Sequence, residues 1–527
     1  MRTMRVLALL GIFAPVAVCG AESPQAAGDA AASYKVEEVP LGPMPSNVLG
    51  TTFSKDGCHV AFVVANGDKQ LVVLDGQAGP EYDGILQGTP VFSPDGKRVA
   101  YVAAKGGKQL VVIDGQEGPE YDGILEGTPV FSPDGKRVAY GAKKGDKWFV
   151  VLDGQEGPEY DGIGDIVFSP GGKRVAYMAG KGDKRFVVLD GQAGPEYEGI
   201  LGGTLVFSPD GKRVAYGAGK GGKQLVVLDG QEGPEYDGIL EGSLVFSPDG
   251  KRVAYGAKKG EKWLVVIDGR AGPEYDLIGE GTLVFSPDGK RVAYGAKKGG
   301  KQFVVLDGQE GPEYDGIGGG SLQFSPDGKR MAYTAMKGKT WCVVLDGQEG
   351  PEYDGIGEGT LFVSPDGKRV AYMAQKGGKQ LVVIDGQAGP EYDGIVVGGP
   401  VFSPDGKRMA YGTGKGEKRF VVVDGQAGPD YDGIVVGGPV FSPDGKRVAY
   451  GAQKGEKWFV VIDGQAGPDY DGVLGGPVFS PDGTLEYLAG KAGTLFRVKH
   501  VPAVEPRQPT GPGVPVEPGA RPARVEK

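Results

Sequence analysis

A single sentence of sequence, repeated, constrains this chain more than anything else in it. The mark Phe-Ser-Pro-Asp-Gly stands at Phe92, Phe131, Phe207, Phe246, Phe285, Phe324, Phe402, Phe441 and Phe479, with variants at Phe53 (FSKDG), Phe168 (FSPGG) and Val363 (VSPDG). The twelve marks are 39 residues apart except after Phe131, where the step is 37, and after Phe441, where it is 38. A fixed period in this range means that one supersecondary unit packs against copies of itself. Gly 98 and Pro 39 in 527 residues would suggest a low-complexity chain if they lacked a period. Here they fall at fixed turn positions, and that argues for order.

Punctuation divides each copy into four strands. In the copy beginning at Phe92, Thr-Pro-Val-Phe-Ser is the first. Ser93-Pro94-Asp95-Gly96 fits a type I turn, with Pro presetting φ at the second position. Arg98 to Ala103 is the second strand, and Lys105-Gly106-Gly107-Lys108 is a hairpin tip whose glycines accept positive φ. Gln109 to Asp114 is the third strand, and Glu120 to Leu125 is read as a short fourth. The runs RVAY and LVVI do not alternate between apolar and polar, so both faces of these sheets are expected to be buried. Four-stranded sheets stacked face to face around an axis satisfy that demand, which gives an all-β fold, a β-propeller of about twelve four-stranded blades. Because rings usually hold four to eight blades, the expectation is two six-bladed rings divided near 308–312, with one closed twelve-bladed ring as the alternative. A β-solenoid fits less well, since its coils are shorter and lack the Pro-Asp-Gly hairpin.

SPDGKRVAY followed by a β-rich run ending in Asp-Gly resembles the WD-like propeller repeat of the TolB type, over about residues 34–500. The resemblance implies the propeller fold. TolB-type proteins carry an α/β domain ahead of the propeller and this sequence shows none, so a transport role is not implied.

The ends carry separate readings. Arg2 and Arg5 precede an apolar run from Val6 to Val18, and small residues follow at Gly20 and Ala21. This reads as a signal peptide over 1–21, too short for a membrane span, and implies a periplasmic or secreted protein. Cys19 offers an alternative as a lipidation site, although Val18 departs from the small residue that bacterial lipoprotein signals prefer before the cysteine. Residues 22–33 read as a flexible leader and the Pro-rich 501–527 as a disordered tail. The last copy lacks its PEYDGI segment, while Tyr34 to Gly42 can form a strand with no copy of its own. Pairing the two would cover an open sheet edge. Cys58 and Cys342 lie at different positions of different copies, and no disulfide framework is expected.

Candidate functional residues are few. A four-strand meander places the hairpin tips on one face of the ring, and those tips gather Lys143, Lys144, Lys147, Lys258, Lys259, Lys262, Lys297, Lys298 and Lys301. Such a face could attract an anionic envelope polymer or an acidic protein, or serve only to discourage edge pairing. The acidic turns, such as Asp153, Glu156, Glu159 and Asp161, lack a D-x-D-x-D-G calcium loop, so no metal is expected. Tyrosines recurring once per copy, such as Tyr121 and Tyr140, read as packing between blades, with carbohydrate stacking as the lesser alternative. Trp148, Trp263, Trp341 and Trp458 replace Gln or Arg and are irregular in placement. Only His59 and His500 are available as histidines, at opposite ends, and neither a nucleophile motif nor a phosphate loop is present. Catalysis needs a few residues whose environments are tuned apart. Gly171, Gln323, Leu277 and Arg270 break the repeat at scattered places.

The sequence therefore reads as an exported, non-enzymatic binding or scaffold protein without a cofactor, its partner a protein or an anionic envelope polymer and not nucleic acid. A hydrolase or lyase with its site in the propeller channel, and a lipid-tethered structural envelope protein, are the alternatives. A formal charge of −10 agrees with the exclusion of nucleic acid.

Overall fold

A computed structural model describes residues 34–502 except 397 and 436. The signal-peptide and leader readings, Cys19, and the tail reading beyond 502 lie outside the described residues, while Val501 and Pro502 end a strand. Val36–Val501 forms one compact unit.

Each copy closes its turns as the residue types demand. The Gly96 N–H donates to the Ser93 carbonyl at 2.8 Å, and the Ser93 hydroxyl reaches Asp95 Oδ1 at 2.6 Å and accepts from the Arg98 N–H at 3.0 Å. Asp114 and Gly115 adopt φ of 51° and 80°, and Gly106 and Gly107 adopt 58° and 79°, the left-handed pairs of tight hairpins. Val99–Lys105 pairs in register with Lys108–Ile113, from Ala100 opposite Ile113 to Lys105 opposite Lys108. From Val99 to Ala103 and from Leu110 to Val112 no side chain is more than 3% exposed, so both faces of these strands are covered.

Two strand assignments need correction. The segment Glu120 to Leu125 is not one fourth strand. Gln116–Tyr121 forms the outer strand of its blade, and Gly123–Ile124 crosses over to begin the inner strand of the next. Most inner strands are consequently in two pieces, such as Gly123–Ile124 and Val130–Phe131, both paired with Val138–Lys144 around a bulge at 125–129. Asp122, between Tyr121 and Gly123, turns the chain instead of extending the strand, and its N–H donates to the Lys143 carbonyl of the next blade at 2.8 Å.

Twelve such sheets follow one another, blade 1 at 48–82, blade 2 at 84–121 and so on to blade 12 at 472–502. The fold is a twelve-bladed β-propeller in a single ring, which corrects the leading expectation of two six-bladed rings and matches its alternative. The reason is hydrophobic continuity. Each core lies between consecutive blades. Ala293 and Val304 of blade 7 pack with Tyr333 and Cys342 of blade 8, so the cores run through the proposed division at 308–312 without a break. The ends meet in the same way. Val60, Phe62, Leu71 and Val73 of blade 1 pack with Leu488 and Leu495 of blade 12.

Closure uses the N-terminal strand. Tyr34–Pro43 pairs with Thr494–Pro502 and becomes the outer strand that blade 12 lacks. Its Glu38 Oε1 accepts from the Tyr470 hydroxyl at 2.6 Å, reproducing across the seam the 3.0 Å contact of Tyr121 with Glu156 elsewhere in the ring.

Candidate functional site

On one face, the Ser-Pro-Asp-Gly-Lys-Arg turns meet the Asp-Gly turns. Arg252 Nε donates to Asp268 Oδ2 at 3.0 Å and its NH1 to the Lys290 carbonyl of the next blade at 2.9 Å, with the guanidinium 5.3 Å from the Phe285 ring centre. The same clamp recurs at Arg98, Arg137, Arg174, Arg213, Arg291, Arg330, Arg369 and Arg408. The lysine that precedes each arginine is left in solvent. The side chains of Lys136, Lys212, Lys251, Lys290, Lys329 and Lys446 are each 81% exposed, and their ammonium groups pair with the aspartate of their own turn at 3.2 to 4.0 Å. Sequence reasoning passed over this ring of lysines because one per copy makes no local cluster. The period itself was the signal.

The opposite face carries the nine hairpin-tip lysines singled out from sequence, and most of them are engaged within the ring. Lys147 lies 2.5 Å from Asp161, Lys262 2.5 Å from Asp276 and Lys301 2.6 Å from Asp315. Lys144 reaches Glu156 at 2.6 Å, Lys298 reaches Glu310 at 3.3 Å, and Lys259 lies 3.9 Å from Glu274. Lys143 and Lys258 sit 5.8 Å from the ring centres of Trp148 and Trp263. Lys297 is cross-strand to Gln302 and its chain carbonyl accepts from the Asp276 N–H. The carboxylates do double duty, since Asp161 Oδ2 also accepts from the Gly182 N–H of the following blade at 2.7 Å. The tips thus form a circumferential clasp in place of a bare cationic face.

These contacts set the acid response. The Lys147 ammonium and then the Gly182 N–H hold the Asp161 carboxyl below its ordinary range, and the equivalent groups act on Asp122, Asp237, Asp276, Asp315, Asp393 and Asp471. On the other face the Ser247 and Ser403 hydroxyls, then the N–H groups of Lys251 and Lys407, bring Asp249 and Asp405 down to about 2. A carboxyl lowered on folding binds fewer protons than its unfolded counterpart, so its stabilisation is present above the unfolded value of about 4 and is lost as pH falls through the folded one. Thermal midpoints measured from pH 7 downward are expected to change little until about pH 4 and to fall steeply toward pH 2. A midpoint unchanged at pH 2.5 would contradict the clasp.

The remaining sequence candidates separate. Among the described residues no group of three or more His, Cys, Asp or Glu is arranged to hold a metal ion. Asp153 takes Arg137 at 2.9 Å, and Glu156 takes Lys144 and Tyr121. Tyr121, Tyr140 and Phe149 pack edge to face, with Tyr121 6.2 Å from Tyr140 and 5.7 Å from Phe149. His59 and His500 do not meet. His59 Nδ1 faces Asp75 Oδ2 at 2.5 Å beside Arg497 on the blade 1 side of the seam. His500 is buried against Gly467 of blade 11 and lies 3.0 Å from the Tyr487 hydroxyl, and burial pushes its pKa down. Cys58 and Cys342 are free thiols, and burial followed by the nearby Glu486 carboxylate pushes Cys58 up to about 12. Such a thiol stays protonated and unreactive.

No protein-family model matches the chain, and no curated protein matches it. Solved structures do. One, described as a eukaryotic initiation factor, aligns at 13% identity and TM-score 0.36 over 60% of this chain and 90% of its own. TolB from Acinetobacter baumannii aligns at 16% and 0.23 over 50% and 84%. The β-propeller domain of the Trilobed protease from Pyrococcus furiosus aligns at 15% and 0.25 over 50% and 94%. No activity passes to this chain from likenesses so distant.

Proposed function

We propose that the protein is an exported, non-enzymatic binding scaffold of TolB-type repeats that holds an anionic polymer, or the acidic face of a protein, against its Ser-Pro-Asp-Gly-Lys-Arg face. The observation that carries this reading is the ring of lysines at 81% exposure, repeated at one position blade after blade. A polymer with its own repeat can engage many such points at once, so that weak contacts add as avidity. Lysines held in the tip clasp are less available for this. Export rests on the N-terminal pattern. Among the described residues no helix is long and apolar enough to cross a membrane. A lipid anchor at Cys19 remains the alternative tether, and the intact mass of the processed N-terminus distinguishes the two.

The test is binding of the full chain to immobilised poly-glutamate and dextran sulfate, with neutral dextran as control, across a salt series. Capture that weakens steeply with salt and is lost when the turn lysines, the six named and Lys97, Lys173, Lys368 and Lys407, become Gln supports the reading. Capture lost only when the nine tip lysines become Gln, or no capture at low salt, rejects it.

A further inference from the structure

Three residues that differ from most other copies, Gln323, Thr334 and Trp341, meet in blade 8 (316–353) where it faces blade 9 (355–392). In blades 3, 5 and 6 a leucine on the inner bulge lies over a glycine of the second strand, Leu125 over Gly141, Leu201 over Gly217 and Leu240 over Gly256. Blades 4, 7, 8 and 9 have glycine at the bulge position instead, Gly164, Gly279, Gly318 and Gly357, and blade 8 alone among them sets a threonine against it. Its bulge has Gly318 and its second strand has Thr334, and a Cβ built on Gly318 would come within 2.0 Å of Thr334 Oγ1. The backbone is unchanged, since the Gly318 N–H still donates to the Thr334 carbonyl at 2.9 Å as Leu125 does to Gly141. Beside this pair opens a cavity of about 400 Å³, lined by residues of blades 8 and 9.

Gln323 and Trp341 also differ from most other copies and line this cavity. Gln323 replaces the valine of Val130 or Val245, and its Nε2 donates to the Leu361 carbonyl of blade 9 at 2.8 Å, which leaves its amide oxygen as an acceptor. Trp341 replaces the glutamine that elsewhere straps the crossing segment, as Gln109 Oε1 does by accepting from the Ile124 N–H at 2.7 Å. The lysines of Trp148 and Trp263 lie over their indoles, whereas the cross-strand neighbour of Trp341 is Met336. Glu358 of blade 9 adds an exposed carboxylate that makes no ion pair among the described residues. Ser321 completes the wall and is turned inward on the Gly318 carbonyl at 2.7 Å.

We propose that this cavity is a binding site for a neutral sugar residue, one per ring. The half-buried indole of Trp341 supplies an apolar surface for the C–H face of a pyranose. The Gln323 amide oxygen, the Thr334 hydroxyl and the Glu358 carboxylate supply hydrogen-bonding groups for ring hydroxyls. No lysine or arginine lines the cavity, so it does not select an anion. A single aromatic wall with amide and hydroxyl groups suits a polyol better than a quaternary ammonium, which is favoured by a cage of several rings. The site is independent of the lysine ring and is predicted to be insensitive to salt.

The experiment titrates the full chain with methyl glycosides of glucose, galactose, mannose and N-acetylglucosamine, and with choline, reading tryptophan fluorescence and calorimetry. Two variants accompany the wild type. Gly318→Leu/Gln323→Val/Thr334→Gly writes the residues of blades 3 and 6 into blade 8, so its folding is secured by precedent within the same ring. Trp341→Gln restores the strap to Ile356. Saturable binding of at least one glycoside, weakened at least about tenfold in both variants while their thermal midpoints hold, is the expected result. Binding of none, binding unchanged in either folded variant, or binding of choline alone overturns the proposal.

Discussion

Removal of Tyr34–Pro43 is expected to open the ring. That strand is the outer edge of blade 12, and without it Thr494–Pro502 presents unpaired N–H and C=O groups to solvent. Tyr470, fully buried, loses the Glu38 carboxylate that accepts its hydroxyl at 2.6 Å. Leu41 leaves the core shared by blades 1 and 12. Ladder hydrogen bonds at about 1 kcal/mol each, together with the lost apolar burial, place the effect on the order of 5 kcal/mol. Denaturant unfolding followed by tyrosine and tryptophan fluorescence measures it. Size-exclusion chromatography is expected to show self-association through the open edge, and a synthetic peptide of residues 34–43 added in trans is expected to suppress it by strand addition. A truncated chain that stays monomeric at unchanged midpoint would show that the ring closes elsewhere.

The second large effect concerns the tyrosine that links blade to blade. Tyr121 is 1% exposed and packs edge to face on Tyr140 and Phe149 of the next blade. Tyr121→Ala is expected to cost about 3–5 kcal/mol, the usual consequence of emptying a buried aromatic position. Conservative changes separate packing from hydrogen bonding. Tyr121→Phe leaves the Glu156 carboxylate without its 3.0 Å donor and is expected to cost about 1–2 kcal/mol. Tyr236 occupies the same place in blade 5, packs on Tyr255 at 6.3 Å, and faces a blade whose outer strand has Ala271 where Glu156 stands in blade 3. Tyr236→Phe is expected to change stability by less than about 0.5 kcal/mol. Equal effects of the two Phe substitutions would contradict the assigned role of the carboxylate.

Much of the fold is legible in the sequence for a physical reason. RVAY and LVVI have no wet face, and Asp-Gly and Gly-Gly have φ requirements that permit few alternatives, so blades and turns follow from composition at fixed positions. The closing strand was legible too, because Tyr34 to Gly42 and the truncated last copy are complementary remainders. Ring number was not, since near-identical copies specify an angle between neighbours only through side-chain packing that no single copy reveals. The boundary at Asp122 was misplaced because Glu-Tyr-Asp-Gly-Ile has strand-forming residues throughout and only the crossover separates its halves.

The candidate site was read less well, and the two faces show why. The paired lysines of KKGDK and KKGEK stand out as local charge, yet their carboxylate partners lie 12 or 14 residues away and were invisible as partners without the register. Lys136 and its equivalents, each alone in its copy, are the ones left in solvent. In the same way Gln323 looked like one of several scattered breaks. It gains meaning beside Gly318, Thr334 and Trp341, which come together when the strands of blade 8 pair, with blade 9 closing the other wall.

Cryo-electron microscopy of the full chain, classified along the ring axis without imposed symmetry, tests the central claim most directly. One ring of twelve spokes, with blade 12 seated against blade 1, is the result this account predicts. Two separate smaller rings, or an open spiral of blades, would contradict it.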